Sequence, residues 1–289
     1  MRNKSFFLLT MIVFITDYAT AGTWNILNVP LVVGEKVRGI DGGNIVGTGS
    51  FSFLYDGSTV SPLNKDGTTL GIYAYGIDGS NIVGYYVTPD PTGPFYGFLY
   101  DGSTWTTLDM PGSTYAYGID GSHIVGGYGS SAGGDHGFLY DGSTWTTLDM
   151  PMGIRTVAYG IDGSNIVGYY DDVSLNRHGF LYDGSVWTPL DAPGAISTSI
   201  NGIDGTNIVG QYVDTLGCNR GFLYDGSSWT MLDMPGATHT YVCGIDGDNI
   251  VGYYVGTDNH SFIYTIPEPA TLLIFGLGTL LLKRSKYRK

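Results

Sequence analysis

Cysteine is nearly absent from this chain: Cys218 and Cys243 are the only two in 289 residues, so at most one disulfide can form. Positive charge is equally scarce in the body. Residues 22–266 hold 6 Lys/Arg against 24 Asp/Glu, a net charge of −18. Such a surface repels phosphate backbones and anionic membrane faces, which argues against a nucleic-acid partner. Helical periodicity is missing from the body. The scattered cysteines and histidines form no recognisable nucleophilic pair. Catalysis is therefore not expected.

What is abundant is glycine, 46 residues, and tyrosine, 23, and both recur with a period. Gly-Ile-Asp-Gly begins at Gly39, Gly76, Gly118, Gly160, Gly202 and Gly244, at spacings of 37 and then four times 42 residues. The first five units each carry two Asp-Gly hairpin signals, and the sixth carries one. In the third complete unit Tyr115 to Ile119, His123 to Tyr128, His136 to Tyr140 and Thr144 to Leu148 read as four strands. Four strands per unit, repeated six times, predict an all-β, six-bladed β-propeller; the alternative is an open stack or solenoid.

The ends predict how the ring closes. Trp24 to Pro30 matches the fourth strand of a unit but precedes the first complete one, whereas the sixth unit stops after its third strand at Tyr264. The N-terminal strand should complete the last blade and hide its edge. Trp24, Trp105, Trp145, Trp187 and Trp229, with Val60 in the first complete unit, share one position and are expected to pack between blades. Gly47, Gly84, Gly126, Gly168, Gly210 and Gly252 share another, where backbones should approach closely.

Both tails differ from the body. Arg2 and Lys4, an apolar stretch from Phe6 to Ile15, and Ala19-Thr20-Ala21 read as a secretory signal peptide over residues 1–21, cut before Gly22. The propeller is expected over 22–266. Residues 267–289 then run from Pro267-Glu268-Pro269 through an apolar segment, 270–282, to five Lys/Arg. That segment is short for a bilayer span, though its basic end suits a cytoplasmic membrane face.

This order of motif, apolar run and basic end resembles the PEP-CTERM sorting signal of Gram-negative bacteria. The resemblance implies an exosortase-like membrane processing enzyme as partner. It also implies removal of the hydrophobic tail and delivery to the cell surface or extracellular matrix, with membrane contact through the tail beforehand. The body, in turn, resembles the HAF family of probable extracellular repeats. Ala158-Tyr159-Gly160-Ile161, Ile166-Val167-Gly168-Tyr169, His178-Gly179-Phe180-Leu181-Tyr182 and Ala192-Pro193-Gly194-Ala195 carry that likeness. The chain departs from it by using Asp at 41, 78, 120, 162, 204 and 246 where the family often has Asn. That resemblance assigns no chemistry.

Strand direction places the Asp-Gly turns on one face of the ring and the links after strands two and four on the other. Sequence variation concentrates in the links at 88–95, 129–135, 171–177, 213–220 and 255–259, so the binding surface is expected there. Tyr86, Tyr170 and Tyr254, at the ends of second strands, are candidates for a polysaccharide platform, with structural packing as the alternative. Asp135, Asp172 and Asp258 are candidate ligand contacts. Asp90, Asp171 and Asp214 also lie in links. An enzyme acting on glycans would need two carboxylates about 5–10 Å apart.

No cofactor is expected. His136, His178 and His260 recur at one position but on separate blades, which argues against a shared zinc ion. Calcium held between turns of different blades is the remaining alternative, since a single Asp-Gly turn is too short for an EF-hand loop. For Cys218 and Cys243 both a disulfide and two separate thiols remain open.

Overall fold

A computed structural model describes residues 22–30, 32, 34–65, 71–90, 92–129, 135–257 and 259–267. Within them run twenty-four strands in six sheets of four. Blade 1 comprises β2 (Lys36–Asp41), β3 (Asn44–Thr48), β4 (Phe53–Tyr55) and β5 (Val60–Pro62). Blade 2 comprises β6 (Gly71–Asp78), β7 (Asn81–Val87), β8 (Tyr96–Tyr100) and β9 (Trp105–Leu108). Blade 3 follows as β10 (Ser113–Asp120), β11 (His123–Gly129), β12 (His136–Tyr140) and β13 (Trp145–Leu148).

Blades 4 and 5 repeat the plan through β14 (Arg155–Asp162), β15 (Asn165–Asp171), β16 (Arg177–Tyr182), β17 (Trp187–Pro189), β18 (Ser197–Asp204), β19 (Asn207–Val213), β20 (Asn219–Tyr224) and β21 (Trp229–Leu232). Blade 6 takes β22 (His239–Asp246), β23 (Asn249–Val255) and β24 (His260–Thr265), and its fourth place is filled by β1 (Thr23–Leu27) in the order β1-β24-β23-β22. The N-terminal strand closes the ring as the sequence predicts. Trp24–Thr265 forms one compact unit.

The core lies between blades. Phe53, Phe98, Phe138, Phe180, Phe222 and Phe262, one per blade, are fully buried. Around Phe180 gather Val125 and Leu148 of blade 3 with Ala158 and Ile166 of blade 4, and Trp187 packs against their edge. Trp105 stacks on Tyr100 at 4.6 Å and lies 4.9 Å from Phe98. The repeated tryptophans thus cap the interblade clusters. At the junction of last blade and first, Leu27 and Ile263 meet Val37 and Phe53. The second-strand glycines are forced by proximity: a Cβ on Gly126 would stand 1.9 Å from the Tyr115 carbonyl oxygen.

Two devices knit neighbouring blades at their inner edge. First, each inner-hairpin aspartate accepts a hydrogen bond from the turn glycine N–H of the next blade. Gly79 donates to Asp41, Gly121 to Asp78, Gly163 to Asp120, Gly205 to Asp162, Gly247 to Asp204, and Gly42 to Asp246, at 2.5–2.9 Å. The six bonds form a closed circuit. Aspartate suits it because an ionised acceptor bonds more strongly than an amide. Second, every inner strand carries a β-bulge, with the ladder skipping one residue between Val37 and Gly39 and at the five equivalent places.

The outer hairpins explain most of the remaining acid. Asp141 accepts from the backbone N–H groups of Ser143 and Thr144 and from both hydroxyls, while Tyr140 Oη donates to the Gly142 carbonyl. Asp56, Asp101, Asp183 and Asp225 repeat this turn. These bonds hold each carboxyl below its ordinary pKa. Residues 1–21 and 268–289, which contain Ala19, Ala21, Glu268 and Pro269, lie outside the described residues. Among the described residues no helix is long and apolar enough to cross a membrane.

Candidate functional site

The bulge decides what faces the ring axis. The skipped residues are Arg38, Tyr75, Tyr117, Tyr159, Asn201 and Cys243, and together with the neighbouring glycines and isoleucines they line the narrow central channel. Freed from cross-strand pairing, these six positions differ in a repeat that is otherwise nearly uniform.

Toward the link side, the channel divides. Around blades 2 and 3 it is filled by aromatic rings. Tyr85 stacks on Tyr73 at 4.9 Å, Tyr115 meets it edge-on at 5.0 Å, Phe95 from a link lies 5.8 Å away, and Tyr117 stacks on Tyr159 at 4.5 Å. Tyr115 and Tyr117 are buried. Around the other blades a cavity of about 170 Å3 remains, lined by Arg38, Tyr75, Tyr159, Tyr169, Arg177, Ser199, Asn201, Gln211, Tyr241, Cys243 and Tyr253.

Cations and phenols dominate that cavity. The Arg38 guanidinium lies 5.1 Å from the Tyr75 ring centre and 5.4 Å from that of Tyr253. Its Nε is buried without a hydrogen-bond partner. Burial works against its charge, but the Cys243 thiol and the Tyr75, Tyr253 and Tyr159 phenols outweigh it and hold the pKa above the ordinary value. Arg177 sits 3.7 Å over the Tyr169 ring while its Nε donates to Asp171 at 3.0 Å. Burial pushes the Tyr253 phenol up to about 12 and raises Tyr85, Tyr117, Tyr159 and Tyr169 as well. All remain neutral hydroxyls near neutral pH.

The sequence candidates fall elsewhere. Tyr86 is buried in the cluster of blades 1 and 2, stacks on Tyr96 at 5.6 Å and bonds Thr107 Oγ1 at 3.1 Å. Tyr170 is buried beside Phe180 and stacks on His178. Tyr254 is half-buried, 6.2 Å from the His260 ring. Packing, the alternative given by the sequence, describes Tyr86 and Tyr170; the partner of each pair, Tyr85 or Tyr169, turns to the channel. An exposed platform built on Tyr86 and Tyr170 is corrected by their burial, and the second-strand tyrosines that reach the channel are Tyr85, Tyr169 and Tyr253.

The candidate acids serve the links. Asp172 accepts from the Ser174 and Asn176 N–H groups and lies 3.6 Å from His178 Nε2. Asp214 caps its own link in the same way and holds Arg220 at 2.9 Å. Asp135 re-enters β12 with its N–H donated to the Tyr128 carbonyl. Asp258 lies outside the described residues. His136 and His178 pair with Asp149 at 3.0 Å and Asp191 at 2.7 Å, and His260 stands 3.7 Å from Glu35. Among the described residues no group of three His, Cys, Asp or Glu side chains could hold a metal.

Cys218 and Cys243 are separate free thiols, which corrects the disulfide alternative. Cys243 points to the channel from the innermost strand, whereas Cys218 precedes β20 in a link. A larger groove of about 710 Å3 lies among the links of blades 2 and 3, but glycine, proline and small polar residues form most of its wall, with Asp109 its one charged group. The channel cavity holds the stronger chemistry.

Comparison with known proteins bears on the tail and the fold. Residues 265–289 match the family of the PEP-CTERM protein-sorting motif. The chain ends in an export-linked sorting signal. No curated protein matches the sequence. Uncomplexed Pyrococcus horikoshii acylaminoacyl peptidase aligns at 12% identity and a TM-score of 0.53 over 83% of this chain and 46% of its own length. The β-propeller domain of the trilobed protease from Pyrococcus furiosus aligns at 9% identity and TM-score 0.49, over 82% and 81%. A mutant Aleuria aurantia lectin bound to Fucα1-6GlcNAc aligns at 16% identity and TM-score 0.45, over 78% and 93%. At these identities the likeness concerns the fold alone.

Proposed function

We propose that the chain is an exported, noncatalytic recognition module of the cell surface or extracellular matrix of a Gram-negative bacterium, and that it takes carbohydrate at the open part of its channel. The carrying observation is the bulge column, Arg38, Tyr75, Tyr117, Tyr159, Asn201 and Cys243. A ring needed only as a spacer has no use for four kinds of side chain, Arg, Tyr, Asn and Cys, at one channel position. Phenols, amides and guanidinium groups supply both flat faces and hydrogen-bond donors, the mixture that sugar rings require.

The wider reading rests on the tails and on the resemblance of the body to HAF repeats. Residues 1–21 direct export and are removed before Gly22. An exosortase-like enzyme then reads Pro267-Glu268-Pro269 and removes the apolar tail, which contacts the membrane until that step. Mass measurement of the protein from its native cells should find Gly22 as the first residue and the basic tail gone; retention of Met1 and Lys289 overturns the route.

Carbohydrate recognition is tested by applying the purified full chain to a glycan array and to isolated matrix, with Tyr253→Ala as the variant. Retained binding of particular glycans that the variant loses, with unchanged thermal unfolding, supports the reading. Absence of binding favours a structural coat, for which the closed circuit of blade-to-blade bonds provides rigidity, and turnover of a glycan would call for an enzyme.

A further inference from the structure

We infer that the open half of the channel selects an acidic saccharide, binding the carboxylate of a uronate-type sugar at Arg38; this rests on the carbohydrate reading above. Charge distribution is the first ground. The body has a net charge of −18 with only six Lys/Arg in residues 22–266, yet four of them gather about this cavity. Arg38 and Arg177 line it. Lys36 Nζ lies 5.3 Å from the centre of the Tyr253 ring, and Arg155 bonds the Tyr169 phenol and stands 3.7 Å from Asp171. Asp171 pairs with both Arg155 and Arg177, and the four cations concentrate here within an acidic body.

Arg38 supplies the second ground. Among the described residues no carboxylate lies within ion-pairing distance of it, and its buried Nε has no acceptor. A buried donor left without an acceptor is costly, and a half-buried charge without an ion-pair partner adds to that cost. A bound carboxylate would satisfy both, because guanidinium presents a planar fork of donors that matches two carboxylate oxygens. A neutral sugar would leave the charge uncompensated.

The remaining wall fits the rest of a sugar. Ser199, Asn201 and Gln211 offer hydroxyl and amide groups for ring hydroxyls, and Tyr241 stacked on Tyr253 at 4.7 Å presents an aromatic face. The cavity of about 170 Å3 corresponds to roughly five or six waters at ~30 Å3 each. It therefore admits a single sugar residue or chain end and leaves the rest of the polymer outside.

Calorimetric titration of the purified full chain with trigalacturonate, its methyl ester, sulfated maltotriose and maltotriose tests the inference. Trigalacturonate should bind, and the methyl ester and maltotriose should bind at least tenfold more weakly. Arg38→Met should lose tenfold or more toward trigalacturonate while Lys65→Met, remote from the channel, changes nothing. If Arg38→Met does not fold, Arg177→Met takes its place with the same expected direction. Equal affinity for ester and acid, preference for the sulfated sugar, or unchanged binding by the folded Arg38 variant overturns acidic selection and leaves carbohydrate recognition standing. If none of the four binds and no glycan binds on the array, both readings fall.

Discussion

On the side of blades 2 and 3 the channel positions carry Tyr73, Tyr75, Tyr85, Tyr115 and Tyr117, which stack with Phe95 into a plug. On the side of blades 5, 6 and 1 the same positions carry Ser199, Asn201, Gln211, Tyr241, Cys243, Tyr253, Lys36 and Arg38, and a cavity remains. The backbone is the same in both halves, down to the bulge. The side chains at these positions, more polar and charged in the open half, decide whether the repeat makes core or site. The plug gains contact area and offset-stacked rings, each worth about 0.5–1.5 kcal/mol beyond burial. The cavity forgoes that gain and keeps a half-buried guanidinium whose Nε has no acceptor, a cost expected where the group serves a ligand.

The largest blow to this comparison is removal of residues 23–30, which takes β1 from blade 6 and with it the outer support of the open half. Cooperative unfolding should be lost and limited proteolysis should cut blade 6 first; a truncated chain with unchanged thermal unfolding contradicts the closure. Next in size is Tyr117→Ala in the plug. Truncation of a buried aromatic costs about 3–5 kcal/mol, so Tm should fall on the order of 10 °C in a domain of this size.

The counterpart in the open half should behave in the opposite way. Arg38→Met replaces a half-buried charge without an ion-pair partner among the described residues by an apolar chain of similar length, so scanning calorimetry should show Tm unchanged or raised. A drop as large as that of Tyr117→Ala would mean that both halves are structural core. The smallest effect concerns the rim beside Arg177. Asp191, and then Asp172, raise the pKa of His178. A raised folded pKa stabilises fully below the unfolded value of about 6.5 and loses that contribution as pH climbs through the folded one. His178→Gln should therefore lower Tm slightly at pH 6, by under about 1 kcal/mol for a half-exposed pair, and leave it unchanged at pH 9.

Much of the fold was legible because Asp-Gly turns and a 42-residue period act locally, and the unmatched Trp24 strand announced the closure. The tyrosines were not legible in the same way. Alternation says that Tyr169 and Tyr170 face opposite sides but not which side meets the axis. On the inner strands the bulge leaves Tyr117 unpaired and shifts the register between Ala116 and Gly118, which simple alternation does not foresee. One signal did stand in the sequence: the residue before each Gly-Ile-Asp runs Arg, Tyr, Tyr, Tyr, Asn, Cys. Its meaning needed the ring, because nothing local to a blade brings those six together. The aspartates of the same motif looked like turn residues, and only the next blade's glycine N–H shows why they are acidic.

Because a bulged residue has no partner across the ladder, its side chain can change without disturbing register, hairpin or interblade core. Duplication of one unit would have begun with six copies of the same group around the axis, a symmetric ring suited to a symmetric guest or to none. Each later mutation at such a position alters one sixth of the wall independently of the others. The architecture therefore separates heritable change in specificity from change in foldability, and related rings could diverge in what they hold while their blades stay almost interchangeable.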